Sequence, residues 1–469
     1  MSDKKSPAPD PASGNPASRD PASRSSEPRI IGRSEFIRTS ATVVGGLLLV
    51  PKSLPGSPRT GRPGNDLNIA LLGTGAQGQV LLSSILKIPA VRVTAVCDIW
   101  TAYNQRRVSR LLQKYGHEHR TYEDYREMLA KESDLDAVII ATPDFWHEAH
   151  TVDALAAGLD VYCEKEMSNT LEGARNMARA AKKAGRLLQI GHQRRSNPRY
   201  QHCYEKLIRD AGLFGRFTTV NGQWNRSVQP DLGWPKKAVI DKAVLKKYGY
   251  DDMHQFRNWR WFKGLGGGPV VDLGSHQIDI YNWFLDAPPS SVSAVGGTDY
   301  YEPRTHQWYD NVQALYEYKT AQGTVRAFYQ VITTNRNGGY FEIFMGDQGT
   351  LEISESAGRG SLYREDHAPL WDHWVKKGYL KSPQEEATPA GAILDVRETL
   401  APAAYSLPFE MTEPYHKPHL ENFFDAIRGK AELNCPAEIG YETAVTVLKA
   451  NDAVASGRNL AFKPADFRI

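Results

Sequence analysis

The chain has 469 residues, which at about 150 residues per domain suggests two or three domains. Hydrophobic residues make up 41% and charged residues 24%, ordinary values that exclude a wholly disordered or collagen-like chain. The formal charge of +3 is uneven: residues 1–64 hold ten Lys/Arg and five Asp/Glu, net +5, which leaves −2 for residues 65–469. A mildly acidic body is poorly suited to binding a phosphate backbone, so we exclude nucleic acid as a partner.

Two further features of the sequence narrow the class of protein. No apolar run reaches the roughly 18 residues that a membrane-spanning helix needs. The cysteines stand far apart with no CxxC pair, so the sequence predicts neither a zinc site nor a disulfide framework. We expect buried apolar thiols at Cys97, Cys163, Cys203 and Cys435.

Residues 1–64 are expected to precede the folded part of the chain. The first 28 residues are rich in Pro, Ala and Ser and lack aromatic and β-branched residues, so they bury too little apolar surface to fold. The basic stretch Arg29–Arg38 and the apolar run Ala41–Val50 then have the layout of an export signal, and Arg33–Arg38 resembles a twin-arginine signal with serine replacing the second arginine. We expect periplasmic export; the alternative is a cytoplasmic protein with an apolar tail. Residues 51–64 are typical of a linker.

A glycine loop opens the first predicted domain. The apolar run Leu67–Leu72 leads into Gly73-Thr74-Gly75-Ala76-Gln77-Gly78, and Val80–Ile88 continues with helical spacing. This is GxGxxG between a strand and a helix, in which the first glycine allows a tight turn. The second lets the backbone approach a pyrophosphate, and the third lets helix and strand pack closely. The pattern predicts a dinucleotide site; an ordinary strand–helix turn is the alternative.

An acid follows at the position where a nucleotide ribose is expected. The predicted strand Val91–Cys97 ends at Asp98, twenty residues after Gly78. A carboxylate there accepts hydrogen bonds from the ribose hydroxyls and repels a 2′-phosphate, and no arginine follows immediately. The sequence therefore predicts NAD rather than NADP.

Strand and helix patterns alternate up to residue 190 and then give way to strands alone. Helices predicted near 102–115, 148–157 and 171–184 separate apolar strands, which is typical of a doubly wound parallel sheet. Period-two runs follow at 215–224, 291–297, 311–318, 323–333, 339–345 and 349–354, and they indicate an open, mainly antiparallel sheet. We predict an α/β chain with a Rossmann domain at 65–190 and an α+β domain at 191–469. Helices near 418–429 and 438–456 should pack back across both, and residues 355–412 have no assigned role.

Several motifs together resemble the glucose–fructose oxidoreductase, inositol dehydrogenase and rhizopine-catabolism family, abbreviated Gfo/Idh/MocA. They are the glycine loop, Ala141-Thr142-Pro143-Asp144-Phe145-Trp146-His147, Cys163-Glu164-Lys165 and Gly266-Gly267-Gly268-Pro269-Val270-Val271-Asp272-Leu273-Gly274-Ser275-His276. The resemblance runs from about residue 66 to the C-terminus. It implies a Rossmann domain followed by an open sheet whose face covers the nicotinamide.

The resemblance also implies roles for individual residues. The strand-end Lys165 is expected to act with Asp272 and His276, and His147 to pack near the nicotinamide. The family usually has Glu-Lys-Pro where this chain has Glu166 after the lysine, so an extra carboxylate is expected beside the reacting centre, to tune the lysine or bind substrate. The expected cofactor-binding residues are Gly73, Gly75, Ala76, Gln77, Gly78, Asp98, Thr142, Pro143, His147, Glu164, Lys165 and Gln193.

The sequence pattern around Asp272 and His276 itself indicates that the two residues act together, apart from the family resemblance. Val270–Trp283 has helical apolar spacing, and residues four apart share a helix face, so the carboxylate should orient the imidazole. A structural Asp–His pair is the alternative. His147 and His150 are one residue short of zinc-protease spacing, so no metal is expected.

The segment from Trp224 to Phe262 is rich in aromatic and basic residues. Flat aromatic faces beside polar groups suit a polyhydroxylated ring, so Arg260, Trp261 and Glu166 are candidate substrate contacts. Aromatic side chains that pack a long loop, or a subunit contact, are the alternatives. His416 and His419 are expected at the surface or at an interface.

These features predict an NAD-dependent oxidoreductase that acts on a secondary hydroxyl of a sugar or sugar derivative. His276 is the expected base, Lys165 holds the hydroxyl and polarises the carbonyl, and Asp272 orients both. A lysine is ordinarily protonated at neutral pH, which favours the histidine as base. The alternatives are a glycoside hydrolase that works by transient oxidation with retained NAD, and a non-catalytic NAD-bound protein. A homo-oligomer is expected because open sheets in the family often pair between subunits.

Overall fold

The computed structural model describes residues 66–356, 359–383, 404–409 and 411–469. The expected export signal and linker, and much of the unassigned stretch 355–412, lie outside these residues. The first half forms a parallel sheet of six strands in the order β3-β2-β1-β4-β5-β6. Its strands are β1 (Leu67–Leu72), β2 (Val91–Cys97), β3 (Arg120–Tyr122), β4 (Ala137–Ile140), β5 (Asp160–Cys163) and β6 (Leu188–Ile190). This order confirms the doubly wound prediction.

Helices connect these strands on both faces of the sheet. They are α1 (Ala76–Ile85), α2 (Arg106–Lys114), which a π-helical turn (Thr101–Gln105) precedes, α3 (Tyr125–Lys131), α4 (Asp144–Ala156) and α5 (Leu171–Ala184). The ends of α5 are as predicted: the Thr170 side chain accepts a hydrogen bond from Gly173 N, and Gly185 stops the helix with φ 60°. Helix α4 begins four residues earlier than expected, directly after Pro143.

The second half forms a nine-stranded sheet in the order β14-β13-β12-β11-β7-β10-β9-β8-β15. Its strands are β7 (Phe217–Asn225), β8 (Pro289–Gly297), β9 (Asn311–Thr320), β10 (Gly323–Ile332), β11 (Tyr340–Gly346), β12 (Gly349–Ile353), β13 (Gly360–Arg364), β14 (Ala404–Ser406) and β15 (Leu460–Ala461). All neighbours pair antiparallel except β7 and β10, which are parallel. The predicted strands agree with the structure to within two residues.

The remaining helices are α6 (Pro198–His202), α7 (Lys242–Lys247), α8 (Met253–Arg257), α9 (Gly268–Asp272), α10 (Gly274–Leu285), α11 (Asp372–Lys376), α12 (Lys417–Ile427) and α13 (Ala437–Ser456). A π-helical segment spans Cys203–Asp210, and 3₁₀ turns span Gln193–Ser196, Lys236–Ala238 and Trp259–Trp261. The continuous helix expected over Val270–Trp283 is wrong, because α9 ends at Asp272 and α10 begins at Gly274. Both helices are buried on nearly all sides, so the apolar spacing does not show the break.

The last two helices pack across both halves, as predicted. Helix α13 contacts α5 of the first half and β8 of the second, and α12 contacts α1. The edge of the parallel sheet is completed from the C-terminal region, since Ile190 N donates to Cys435 O at 3.0 Å. All four cysteines are free and buried, as expected. Within the described ranges, no helix combines the length and apolar character needed to cross a membrane.

Candidate active site

The glycine loop has the geometry that a dinucleotide requires. Gly73 has φ +92°, and a Cβ there would lie 2.7 Å from the Ala141 backbone. A Cβ on Gly78 would lie 2.1 Å from Gly73 O, so only glycine lets α1 pack this closely on β1. A Cβ on Gly75 would meet nothing within 4 Å, because this glycine borders an open cavity. The packing roles expected of Gly73 and Gly78 are confirmed by these contacts, and Gly75 leaves its backbone open to the cavity.

Asp98 lies in the same cavity and also fixes the loop. Its Oδ2 accepts hydrogen bonds from Thr74 N at 2.7 Å and Thr74 Oγ1 at 2.6 Å, and its Oδ1 accepts from Trp100 N at 2.7 Å. Burial raises the pKa of Asp98, and the hydrogen bonds from Thr74 and Trp100 act in the opposite direction. Space beside Gly75, the N-terminus of α1 and a carboxylate at the end of β2 together fit an NAD molecule.

Most of the expected cofactor-binding residues line this first cavity. They are Gly73, Gly75, Ala76, Gln77, Asp98, Thr142, Pro143, Glu164 and Lys165. The cavity is also lined by two acids and a histidine that were not among the expected site residues, namely Glu123, Asp144 and His150. Burial, and then the nearby charge of Asp272, raises the pKa of Asp144 to about 7.

A segment of the second half covers the first cavity. Several side chains between residues 232 and 260 line it, namely Leu232, Tyr248, Tyr250, Phe256, Arg257, Trp259 and Arg260. The sequence predicts that this aromatic segment binds a sugar, and for Tyr248, Tyr250 and Trp259 that prediction is wrong. They line the cofactor cavity because the loop folds over the first sheet.

Hydrogen bonds and an apolar cluster hold this covering segment in place. Trp100 Nε1 donates to Ala238 O at 2.5 Å, and Trp146 Nε1 donates to Tyr248 O at 3.1 Å. Lys247 Nζ lies 3.2 Å from Asp124 Oδ2. Trp100 and Phe145 also belong to one buried cluster with apolar side chains of the segment. One wall of the cofactor cavity is therefore formed by a segment that is packed in place.

A second cavity adjoins the first and reaches the face of the second sheet. Its lining includes Trp224 and Tyr340 from the sheet, and Asp272, His276 and Trp261 from the connecting elements. The two cavities share a wall made of Gln77, Glu164, Lys165, Leu232, Arg257 and Arg260. Lys165 thus stands on the boundary between the cofactor cavity and a second binding space.

Lys165 forms an ion pair with Asp272 across this boundary. Its Nζ lies 3.0 Å from Asp272 Oδ1 and also donates to Asp272 O. Arg260 Nε lies 3.3 Å from the same Oδ1. Burial acts against the charged carboxylate, but the charges of Lys165 and Arg260 hold the pKa of Asp272 well below its usual range. The expected pairing of Lys165 with Asp272 is confirmed, and Arg260 joins it.

His276 is buried on the wall of the second cavity but does not contact Asp272. Among the described residues His276 Nδ1 has no hydrogen-bond partner, so the expected orienting contact with Asp272 is not formed. The His276 ring instead lies 5.7 Å from the Trp224 ring and 6.5 Å from the His192 ring. Burial, and then the charges of Lys165 and Arg194, lowers the pKa of His276 well below its ordinary value. The imidazole is therefore neutral at physiological pH.

Glu166 is fully buried and lines neither cavity, so its expected role as a substrate contact is wrong. The Lys165–Glu166 peptide bond is cis, and Glu166 Oε1 accepts a hydrogen bond from Met167 N at 2.7 Å. Burial raises the pKa of Glu166 to about 8. The carboxyl is directed into the protein because the lysine before it takes the position facing the cavities.

His147 holds two strand ends together and does not line the cofactor cavity. Its Nδ1 lies 2.8 Å from Glu166 O and its Nε2 lies 2.7 Å from Thr142 O. Burial lowers the pKa of His147 to about 4. His147 was expected to pack near the nicotinamide and to bind the cofactor, but it does not line the cofactor cavity, and both ring nitrogens face backbone carbonyls after β4 and β5.

Gln193 lines the second cavity and not the first, which corrects its expected cofactor role. Its Nε2 donates to Glu355 Oε1 at 3.1 Å, and Arg194 Nε donates to Glu355 Oε2 at 2.9 Å. Arg194 also pairs with Glu342, whose other oxygen accepts from Tyr200. The acid Glu355, at the start of the unassigned stretch 355–412, thus contributes to the wall of the second cavity.

Of the two C-terminal histidines, His419 is buried and His416 is partly exposed on a cavity wall. His416 lines the second cavity, and its Nε2 lies 3.0 Å from Gln77 Nε2, which also donates to Glu164 Oε1 at 3.1 Å. His419 is fully buried between Ser196 Oγ at 2.6 Å and Ile190 O at 2.9 Å. The start of α12 packs against the Rossmann sheet, which carries both rings inward. In the described part of the chain, no group of His, Cys, Asp and Glu residues is suited to a metal ion.

A Rossmann sheet with this loop and acid, joined to a sheet that completes a second cavity, defines a dinucleotide-dependent oxidoreductase. Residues 67–192 match the model of the oxidoreductase family with an NAD-binding Rossmann fold. Residues 213–462 match the C-terminal alpha/beta domain of the same family. The chain belongs to the Gfo/Idh/MocA family, as the sequence motifs predicted.

Individual relatives are similar over different lengths. The rhizopine catabolism protein MocA of Rhizobium meliloti is 29% identical over 48% of this chain and 58% of its own length. An inositol 2-dehydrogenase of Rubrobacter xylanophilus is 24% identical over 72% of this chain and 86% of its own. The solved structure of the WlbA dehydrogenase from Bordetella pertussis, in complex with NADH and UDP-GlcNAcA, has a TM-score of 0.60 at 18% identity. The structural similarity covers 85% of this chain and 99% of the WlbA chain.

Proposed function

We propose that the protein oxidises a secondary hydroxyl of a sugar or sugar derivative, with NAD as the hydride acceptor. The observation that carries this proposal is the position of Lys165 on the shared wall of two cavities. One cavity has the glycine loop and acid of a nucleotide site, and the other is lined by aromatic, basic and acidic side chains. Hydride transfer needs a cofactor and an alcohol in adjoining spaces, with a polar group where they meet.

The residues of the first cavity have separate tasks in holding the cofactor. The backbone at Gly75 and the N-terminus of α1 receive the pyrophosphate, and Asp98 receives the ribose hydroxyls. When bound, NAD supplies a nicotinamide ring that accepts the hydride. Lys165, at the other end of the cavity, marks where the substrate hydroxyl must lie.

Proton transfer falls to the residues of the second cavity. The neutral imidazole of His276 is the base that takes the hydroxyl proton. The Lys165 ammonium donates a hydrogen bond to the substrate oxygen and stabilises its developing charge. Asp272 holds that ammonium in place through the 3.0 Å ion pair. The role proposed for Asp272 is therefore to position the lysine and not the imidazole.

The names of the relatives support a polyhydroxylated substrate. One relative is an inositol 2-dehydrogenase, and the structurally similar WlbA dehydrogenase binds a sugar nucleotide together with NADH. Trp261 lines the second cavity and provides a flat face for the C–H surface of such a ring. Trp224 lines the same cavity with its ring stacked on Tyr340.

The test is oxidation of a panel of aldoses, inositols and uronic acids by the purified protein with NAD, followed through the absorbance of NADH. We expect NADH formation with at least one member, and its loss in Lys165→Ala. Binding of NAD without turnover of any member of the panel would contradict the proposal and favour a non-catalytic NAD-bound protein.

The covering segment favours a second candidate, a glycoside hydrolase that oxidises its substrate only transiently. Such an enzyme keeps its NAD through the cycle, and the packed cover over the first cavity would retain it. A glycoside panel discriminates the two functions: release of aglycone without net NADH supports the hydrolase, and accumulation of NADH supports the dehydrogenase.

We also propose export to the periplasm, on the basis of the Arg29–Arg38 and Ala41–Val50 stretches. Cell fractionation of the native host should find a shortened chain in the periplasm. A full-length chain confined to the cytoplasm would contradict this.

We also propose that the protein is a homo-oligomer. The outer face of the second sheet exposes large apolar side chains on three adjacent strands, Val295, Leu315 and Phe328. A second copy would cover them. Light scattering should give a multiple of the chain mass, and Leu315→Lys with Phe328→Lys should reduce it to one chain. A monomer in the wild type would contradict this proposal.

A further inference from the structure

The second cavity carries more positive charge than a neutral sugar requires. Its lining cations are Lys165, Arg226, Arg257 and Arg260, and its lining carboxylates are Glu164, Asp272 and Glu355. Glu355 is already paired with Arg194, which lies behind the wall. One carboxylate, Asp272, pairs with both Lys165 and Arg260. The cavity therefore has a surplus of cations.

Arg226 is the cation in surplus. Lys165 and Arg260 pair with Asp272, and Arg257 Nε donates to Gly233 O at 3.1 Å. Of the cations that line the cavity in the described ranges, only Arg226 makes neither a hydrogen bond nor an ion pair through its side chain. Its guanidinium is half-buried and rests over the Trp224 ring, 5.6 Å from the ring centre. A partly desolvated and unpaired guanidinium is a ready ligand for an anion.

The neighbours of Arg226 place it on the same wall of the cavity as His276. Arg226 N donates to Ile332 O at 2.9 Å, so its backbone continues from β7 beside the end of β10. The Trp224 ring, two residues earlier, is stacked on Tyr340 with 4.5 Å between ring centres, and it lies 5.7 Å from the His276 imidazole. A sugar in the cavity beside Trp224 would therefore lie within reach of both His276 and Arg226.

We propose that the substrate is an anionic sugar derivative whose carboxylate or phosphate binds Arg226. This inference rests on the proposed function, because it assigns the substrate class of the same site. Arg226 is therefore a specificity-determining residue, and the indole of Trp224 supports its guanidinium.

The experiment compares matched substrates with full-length wild type, Arg226→Met, Arg226→Lys and Arg209→Met. The panel holds glucose and galactose, their uronates, and their 6-phosphates, so that carboxylate and phosphate are tested separately. Arg209 is the matched control, because its guanidinium also rests over an aromatic ring, that of Tyr204, but outside both cavities. Turnover with NAD and calorimetric binding of each sugar to the NAD-loaded protein are both measured.

We expect the wild type to prefer a uronate or a phosphate over the neutral sugar in kcat/KM. Arg226→Met should lower that preference about 10- to 100-fold, mainly through KM, since a charge-assisted hydrogen bond is lost. Arg226→Lys should restore part of it, and Arg209→Met should keep it.

Different outcomes overturn the two proposals. Turnover with the same preference in the wild type and in Arg226→Met would contradict the role of Arg226 and leave the dehydrogenase intact. An absence of turnover with every sugar would contradict the proposed function. In that case the calorimetry still decides the inference, because equal binding of anionic and neutral sugars by the wild type would contradict it.

Discussion

The Lys165 ammonium and the Asp272 carboxylate lie 3.0 Å apart, although 107 residues separate them in the sequence. Lys165 follows the last residues of β5 in the parallel sheet, and Asp272 ends α9 in the second half of the chain. The ion pair therefore joins the two halves at the boundary between the two cavities. Any loss of this contact frees the lysine at the point where cofactor and substrate must meet.

Replacement of the proposed acid–base residues tests the site directly. His276→Ala and Lys165→Ala should each lower kcat by about 10²- to 10⁴-fold while NAD still binds. Asp272→Asn should also lower kcat, because the lysine is no longer held. Steady-state kinetics and calorimetry with NAD measure both quantities. Wild-type turnover in both alanine variants would show that the site is wrongly placed.

The sequence was sufficient for the features that local pattern determines. The glycine loop, Asp98 and Lys165 each follow a strand directly, and the ends of parallel strands meet at one edge of a sheet. The strands of the second sheet were also predictable, since alternating burial has a period of two. Such features need no knowledge of distant contacts.

Features that depend on distant contacts were not predictable. Arg226 and Glu355 carry no local motif, and they reach the second cavity only through the folding of the second half of the chain. The break after Asp272 was hidden because α9 and α10 are buried on nearly all sides. His416 looked like a surface residue, since nothing in its own segment indicates that α12 docks on the parallel sheet.

Asp98 is expected to determine the preference for NAD. Asp98→Ala should weaken NAD binding about 10- to 100-fold, since the hydrogen bonds to a charged group are lost, and should narrow the gap between NAD and NADP. Calorimetric titration with both nucleotides measures this.

Thr74→Val is the matched control for Asp98→Ala. It removes a side-chain hydrogen bond to the same carboxylate but leaves the acid in place. We expect a smaller loss of affinity and an unchanged preference for NAD. Tighter binding of NADP than NAD by the wild type would contradict the role of Asp98.

Glu166 is expected to make the protein less stable as the pH rises. Its folded pKa of about 8 lies above the ordinary value of 4.5, so the folded state keeps a proton that the unfolded state loses. Stability from this group is complete below about pH 4.5 and falls as the pH rises to about 8, by a few kcal/mol at most.

Glu166→Gln removes this titration while keeping the shape of the side chain. The variant should have a higher Tm than the wild type at pH 8, and the two proteins should converge near pH 5. Calorimetric melting across this range is the measurement. Parallel Tm profiles of the two proteins would show that Glu166 is ionised in the fold.

The covering segment is expected to slow the release of the cofactor. Trp100→Phe removes the hydrogen bond from Nε1 to Ala238 O and should speed NADH dissociation several-fold, because that bond holds the cover closed. Stopped-flow displacement of NADH measures the rate. Trp374→Phe, far from both cavities, is the matched control. Equal rates in all three proteins would mean that the cover does not limit release.

The C-terminal completion of the parallel sheet has a consequence for biogenesis. Ile190 N bonds to Cys435 O, Ile190 O contacts His419 Nε2, and Gln189 Nε2 donates to His419 O. The partners His419 and Cys435 are translated more than two hundred residues after Gln189 and Ile190. This edge of the nucleotide-binding half cannot be completed until residues 419–435 have been translated. A stop codon near residue 415 would therefore leave the edge unpaired and prone to aggregation.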